Sequence, residues 1–205
     1  MLDKNEVRTV SDRALASADA DALEVLFFGL DEALTRFANN EIHQNVAEVN
    51  EALIIRAAFG QRVGSVSTND LSDESITRAV GQAEDLAKLQ PENPDFPGFA
   101  DPRPLPEDVN AYDEATAVAS PDMRAGAAGD AIRYAQDHNV DAFGAFRTSR
   151  YTWAVANTKG LYAYQPLTMA DLVLVAMTET SSGYAEDASW RVGDIDVAAR
   201  GREAV

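Results

Sequence analysis

The sequence predicts an α+β fold: an antiparallel sheet built from hairpins, with helices packed on one face. Three observations carry this. Apolar, β-prone runs follow one another through residues 22–68 with turns of two or three residues. Antiparallel pairing permits such turns, whereas parallel strands need long crossovers. Residues 73–89 carry one apolar stripe at helical spacing, which must pack on an apolar surface such as the sheet. After a proline-rich stretch the β character returns over residues 141–179.

Taken in order, residues 5–18 predict a helix, with Val7, Val10, Ala14, Leu15 and Ala18 at helical spacing. Ala22 to Leu30 predicts a strand, ended by a turn at Asp31-Glu32. The runs 33–38 and 42–49 form a hairpin across Asn39-Asn40-Glu41, since asparagine tolerates the positive φ of a tight turn. A second hairpin joins 52–59 to 62–68 across Gly60-Gln61. Ser72 caps the helix over 73–89, with Asp73 and Glu74 at the positive end of its dipole. Its stripe is Ile76, Ala79, Val80, Ala83, Leu86 and Leu89, and Pro91 ends it.

Six prolines between 91 and 106 (91, 94, 97, 102, 104 and 106) predict an extended connector, with possible sub-domains 1–90 and 107–205 on either side. Ser120-Pro121 opens a second helix, proline standing where its missing N–H costs nothing. Met123, Ala127, Ala131 and Ala135 are expected on its apolar face, and Arg124, Asp130, Arg133 and Asp137 on a polar one. Strands are expected over 141–157, 161–169 and 171–179, with a turn at 157–160 and a polar segment over 180–187. A last helix begins at Asp194 and is still running at Val205, with no terminal glycine or proline to mark a C-cap. A natural terminus and a fragment boundary both fit that ending, and the expectation is an α+β domain whose continuation is missing.

Composition excludes several classes of function. A chain of 205 residues buries about 70% of its unfolded surface, enough for a sizeable core. Its net charge is -17, and its densest basic stretch is Arg147 with Arg150. Nucleic acid or an anionic membrane needs a basic stripe to release counterions, so neither is an expected partner. Zero cysteines leave no disulfide and no thiolate ligand. The first residues hold no apolar signal segment, and no run approaches the ~20 residues that span a bilayer, so a cytoplasmic location is expected.

Catalytic constellations do not emerge from the residues. The two histidines, His43 and His138, are not at i, i+4. His43 reads as a strand residue and His138 as a helix-terminal one. Glu186-Asp187 and Asp194/Asp196 read as solvated carboxylates rather than a cation site. The glycines match no phosphate-cradling loop, and 64-GSVSTND-70 is not a nucleophile elbow.

One stretch is more specific. The run 36-RFANNEIHQNVAEVNEALIIRAAFGQRVGSVSTNDLSDESITRAVGQAEDLAK-88 has an Arg-containing strand, an Asn turn with Ile two residues on, a hairpin ending in Gly-x-Ser-x-Ser-Thr-Asn-Asp-Leu, and a helix carrying Ala-x-x-Ala-x-x-Leu-Ala-Lys. It resembles the N-terminal domain of the TldD/PmbA family, known as modulators of DNA gyrase and grouped with metallopeptidases. Its STNDLS wording is closer to the PmbA (TldE) side. The later 152-TWAVANTKGLYAYQPLTMADLVLVAM-177 resembles the family's second hairpin, so the likeness runs over about residues 22–200.

The resemblance implies a homodimer, or a heterodimer with a TldD-like subunit, enclosing a chamber where unfolded peptide is bound and cut. It implies zinc or a similar divalent metal in a C-terminal domain, held by an HExxxH helix and a cysteine. This chain has neither motif, so no catalytic residue, metal ligand or cofactor is carried over to it. PmbA-type subunits tend to lack HExxxH as well, which leaves a non-catalytic peptide- or protein-binding module as the alternative reading. For either role, the edge of the 42–49 strand is expected to accept an extended peptide. Arg36, Asn40, His43 and Gln44 are the candidate contacts, with Asn40 and Gln44 on one face by alternation and His43 on the other.

Overall fold

Strands of very unequal length organise the protein. The computed structural model describes residues 1–104 and 109–205, so Pro106 of the connector and the expected 107 boundary lie outside the described residues. In chain order the elements are α1 (Lys4–Ala16), β1 (Ala22–Ala38), β2 (Glu41–Phe59), β3 (Arg62–Thr68), α2 (Asp73–Leu89), α3 (Glu114–Ala117), α4 (Pro121–Asp137), β4 (Asp141–Asn157), β5 (Tyr162–Met177), β6 (Ser182–Ser189), a 3-10 turn (Val192–Asp194) and α5 (Val197–Ala204). The six strands form one antiparallel sheet in the order β3-β2-β1-β4-β5-β6, which confirms the α+β class.

Short-range signals placed the helix ends well. Ser72 and Ser120 accept hydrogen bonds from the backbone N–H groups of Ser75 and Met123. Asp3 and Glu6 form a reciprocal capping box that starts α1 one residue earlier than periodicity suggests. Asn39 and Asn40 both take positive φ, 51° and 60°, at the first hairpin turn.

The strands differ from expectation in length. Asp31-Glu32 is not a turn, because β1 runs straight through it. The runs 42–49 and 52–59 are one strand, as are 161–169 and 171–179, and the polar 180–187 segment largely becomes β6. Charged residues interrupt these runs in the sequence, but their partners lie on neighbouring strands. Asp31 pairs with Arg150 at 2.7 Å, and Asp171 with Arg147 at 2.9 Å.

By contact density the chain divides into two units. The first comprises residues 1–30, 50–109 and 152–165. Its core joins Val7, Val10 and Ala14 of α1, Leu23, Val25 and Phe27 of β1, Leu53, Ile55 and Ala57 of β2, and Ile76, Ala79, Val80 and Ala83 of α2. The end of the expected α2 stripe is displaced: Ala87 is buried, whereas Leu89 is 81% exposed. Gly64 of β3 lies against this end of the helix. A Cβ there would stand 2.2 Å from the Ala83 carbonyl oxygen and 2.4 Å from the Ala87 nitrogen. The helix therefore rests on the strand's backbone through its small residues.

The second unit comprises residues 31–49, 110–151 and 166–205. Its core includes Phe37, Ala128, Ala131, Ile132, Ala135, Ala142, Leu174, Ala176, Ala185 and Ala204. Here Gly183 of β6 plays the same part, since a Cβ would meet the backbone oxygen of Ala204 in α5. Gly183 lies 119 positions after Gly64, the displacement that also carries β1 onto β4. The order α-β-β-β-α thus occurs twice, and the strand order reads alike from both edges.

On α4 the buried face is Arg124, Ala128, Ala131, Ile132 and Ala135, so Arg124 leaves the polar face where periodicity put it. Its guanidinium donates to the Ala119 carbonyl at 2.9 Å and to the Thr148 hydroxyl at 3.0 Å, while its Nε finds no partner among the described residues. Desolvation lowers its pKa.

Two stability measurements check this packing. Gly64→Ala is expected to lower unfolding free energy by about 1–3 kcal/mol, because the obstacle is helix backbone. Gly81→Ala, with nothing within 4 Å, should instead gain about 0.5–1 kcal/mol by helix propensity. Arg124→Met should be better tolerated than Arg124→Ala, by about 2 kcal/mol in chemical denaturation, because it keeps the packing volume and removes the buried charge.

Candidate functional site

Backbone N–H and C=O groups seek partners, and a strand at the side of a sheet offers a row of them. In the register of β2 with β3, Leu53 to Phe59 face Arg62 to Thr68, with Leu53 opposite Thr68 and Phe59 opposite Arg62. Residues 41–52 extend past the end of β3. They have β1 on one side and no strand on the other among the described residues. Residues 41–50 are exposed without exception, including Ile42, Val46 and Val49.

The matching part of β5 is treated differently. Its pairing with β6 starts at Ala170, which leaves 162–169 beyond the end of β6. There the chain supplies a cover. Gln165 donates its side-chain amide to the Val109 carbonyl at 3.3 Å. The Thr168 N–H donates to the Ala111 carbonyl at 2.9 Å, and the Asp113 N–H to the Thr168 hydroxyl at 3.0 Å. Residues 161–168 are accordingly half-buried or buried. An extended segment is thus what one such edge takes within this protein.

The four residues expected at the site are only partly brought together. Arg36 and Gln44 share a face of the β1/β2 hairpin and approach at 3.5 Å. His43 is exposed and sits on the other face by alternation. Asn40 is occupied by the fold itself. Its amide donates to the Val140 carbonyl at 3.1 Å and the Asp141 carboxylate at 3.0 Å, and its side-chain oxygen accepts the Ala142 N–H at 2.8 Å. It latches the hairpin tip onto the start of β4. Asn45, not singled out from sequence, faces the Thr35 hydroxyl at 3.4 Å. Only the observed register reveals that contact.

A polar cluster nearby on the second unit was visible in the sequence only as two arginines. Arg147 makes a two-pronged contact with Asp171, at 2.9 and 3.0 Å, and reaches Glu32 at 3.3 Å. The Asp171 carboxylate, supported by Glu32, raises the arginine's pKa above its ordinary value. Arg150 pairs with Asp31. Both arginines are thereby neutralised. The depression beside Arg147, about 510 Å³ and lined by Met169, Asp171, Val173 and Glu186, contains no nucleophile-base pair.

The described residues do not fit a zinc site. No group of three His, Cys, Asp or Glu residues capable of holding a metal occurs among the described residues. His138 directs Nδ1 at the Tyr134 carbonyl at 2.8 Å and stacks on that ring, closing α4 as its position suggests. Asp187 lies 3.9 Å from Arg200, Asp194 accepts from Ser189, and Asp196 caps α5. No helix among the described residues is long and apolar enough to cross a membrane.

Comparison with known proteins finds a likeness for the hairpin and its helix. Residues 23–87 match the family model described as PmbA/TldA metallopeptidase domain 1. Over that span, the chain is similar to the first domain of that family. The PmbA/TldD span takes in β1, β2, β3 and nearly all of α2, hence the open edge.

Solved structures extend the fold likeness over the chain. TldE from Thermococcus kodakarensis superposes with a TM-score of 0.84 at 21% identity, covering 97% of this chain and 46% of that one. A candidate modulator of a DNA gyrase from Thermotoga maritima MSB8 gives 0.81 at 17%, covering 97% and 46%. Another, from Bacteroides thetaiotaomicron VPI-5482, gives 0.82 at 17%, covering 100% and 49%. The chain spans about half the length of these structures. No curated protein matches it.

Asn40→Ala should destabilise the chain by about 1–3 kcal/mol in chemical denaturation, because it strands part-buried partners at the hairpin tip and removes a residue suited to positive φ. Gln44→Ala, on the exposed face, should change stability by less than about 0.5 kcal/mol.

Proposed function

We propose that this chain is the N-terminal part of a PmbA/TldD-like metal-dependent peptidase that acts on unfolded peptides. Its role is to shape the substrate chamber and support dimerisation, as a homodimer or with a TldD-like subunit. On this reading the catalytic zinc or similar divalent metal belongs outside this chain. The first-domain match over residues 23–87 supports the family part of this reading.

The single observation behind the peptide-binding role is the open, fully exposed edge of residues 41–50. An unfolded peptide has free backbone donors and acceptors, and adding it as a strand satisfies both rows at once. Recognition through backbone is indifferent to sequence, which suits a peptidase for unfolded chains. Gln44 and Arg36 line one face of the edge, His43 the other, and Asn40 holds the hairpin in place.

Hydrogen exchange tests the assignment. With a saturating extended peptide, amide exchange should slow within residues 41–50 while α4 stays unchanged. Protection confined to residues outside 33–68 overturns the site.

A further inference from the structure

The charge along the open edge selects among extended partners. Residues 41–50 read EIHQNVAEVN, with two carboxylates, Glu41 and Glu48, and no lysine or arginine. No cation among the described residues pairs with either carboxylate, although most surface arginines elsewhere are paired. Asp141 stands at the same hairpin tip, bonded to the Asn40 amide rather than to a cation. Exposed Ile42 and Val46 sit six and two positions before Glu48, on its face of the strand.

A second copy of this chain is a poor occupant. Edge-to-edge pairing of two copies would bring the same lysine-free, acidic strand against itself, between molecules each carrying -17. Like charges opposite one another on paired strands are destabilising. The arrangement deters self-association and leaves the edge open to a strand of opposite sign.

We propose that the edge at residues 41–50 preferentially docks extended peptides carrying lysine or arginine, with apolar residues in alternate positions to cover Ile42 and Val46. This rests on the peptide-docking reading above and adds its charge specificity. Main-chain pairing holds the peptide, and Glu41 and Glu48 favour the cationic one.

The test uses three fluorescent ten-residue peptides of equal length and alternating apolar pattern, with net charge positive, zero or negative. Binding to the full chain is measured by anisotropy at low and high salt. Two exposed ion pairs predict about fivefold tighter binding of the cationic peptide than the neutral one at low salt. That advantage should shrink as salt screens it. The double variant Glu41→Gln/Glu48→Gln should bring the cationic peptide to the neutral peptide's affinity and leave the neutral peptide unchanged. Equal binding of all three peptides at this edge overturns the charge proposal and leaves the peptide-docking reading standing. A cationic preference that survives the double variant also overturns it, since the charge then acts elsewhere. Binding of none of the three overturns both.

Discussion

The structure depends on a mismatch in strand length. β2 and β5 are 19 and 16 residues long, while the strands outside them, β3 and β6, are 7 and 8. A short outer strand leaves part of its long neighbour with backbone groups facing outward, and each such group needs water or a partner. For β5 the partner is the segment around residues 109–113. For β2 it is not found among the described residues. The candidate site exists because the two edges resolve the same problem in different ways.

The rest of each unit gives these long strands a firm backing. In the first, glycine at 64 lets α2 sit on β3 with backbone nearly touching backbone, so alanines suffice where larger residues would hold the helix away. In the second, Gly183 and Ala204 repeat the arrangement. Asn40 adds a link across a hundred residues of sequence, from a hairpin tip to the first residues of β4. A strand edge offered to a ligand must not sag. The Asn40 bonds hold the tip of the hairpin that carries it.

Helices were legible in the sequence because their signals are local. Serine caps, the proline at the start of α4 and the Ile76–Ala83 stripe needed no distant information, and Asn39-Asn40 announced its turn by backbone chemistry alone. Strand length was not legible. Asp31-Glu32 looks like a turn until Arg147 and Arg150, more than a hundred residues away, are seen beside it. Arg124 misled for a related reason, as its acceptors Ala119 and Thr148 are set by tertiary packing. The open edge was anticipated, but the role of Asn40 as a latch was not, because its partners at 140–142 carry no mark in the sequence.

The repeated α-β-β-β-α order has a consequence for how the protein could be divided. A piece holding one set of elements would end its sheet at β1, a strand of 17 residues that is bordered on both sides in the whole chain. Cutting between the sets would therefore turn the most interior pair of strands into two long, sticky margins. The second set is what keeps β1 from being a surface, just as β3 confines the exposed backbone of β2 to its first dozen residues.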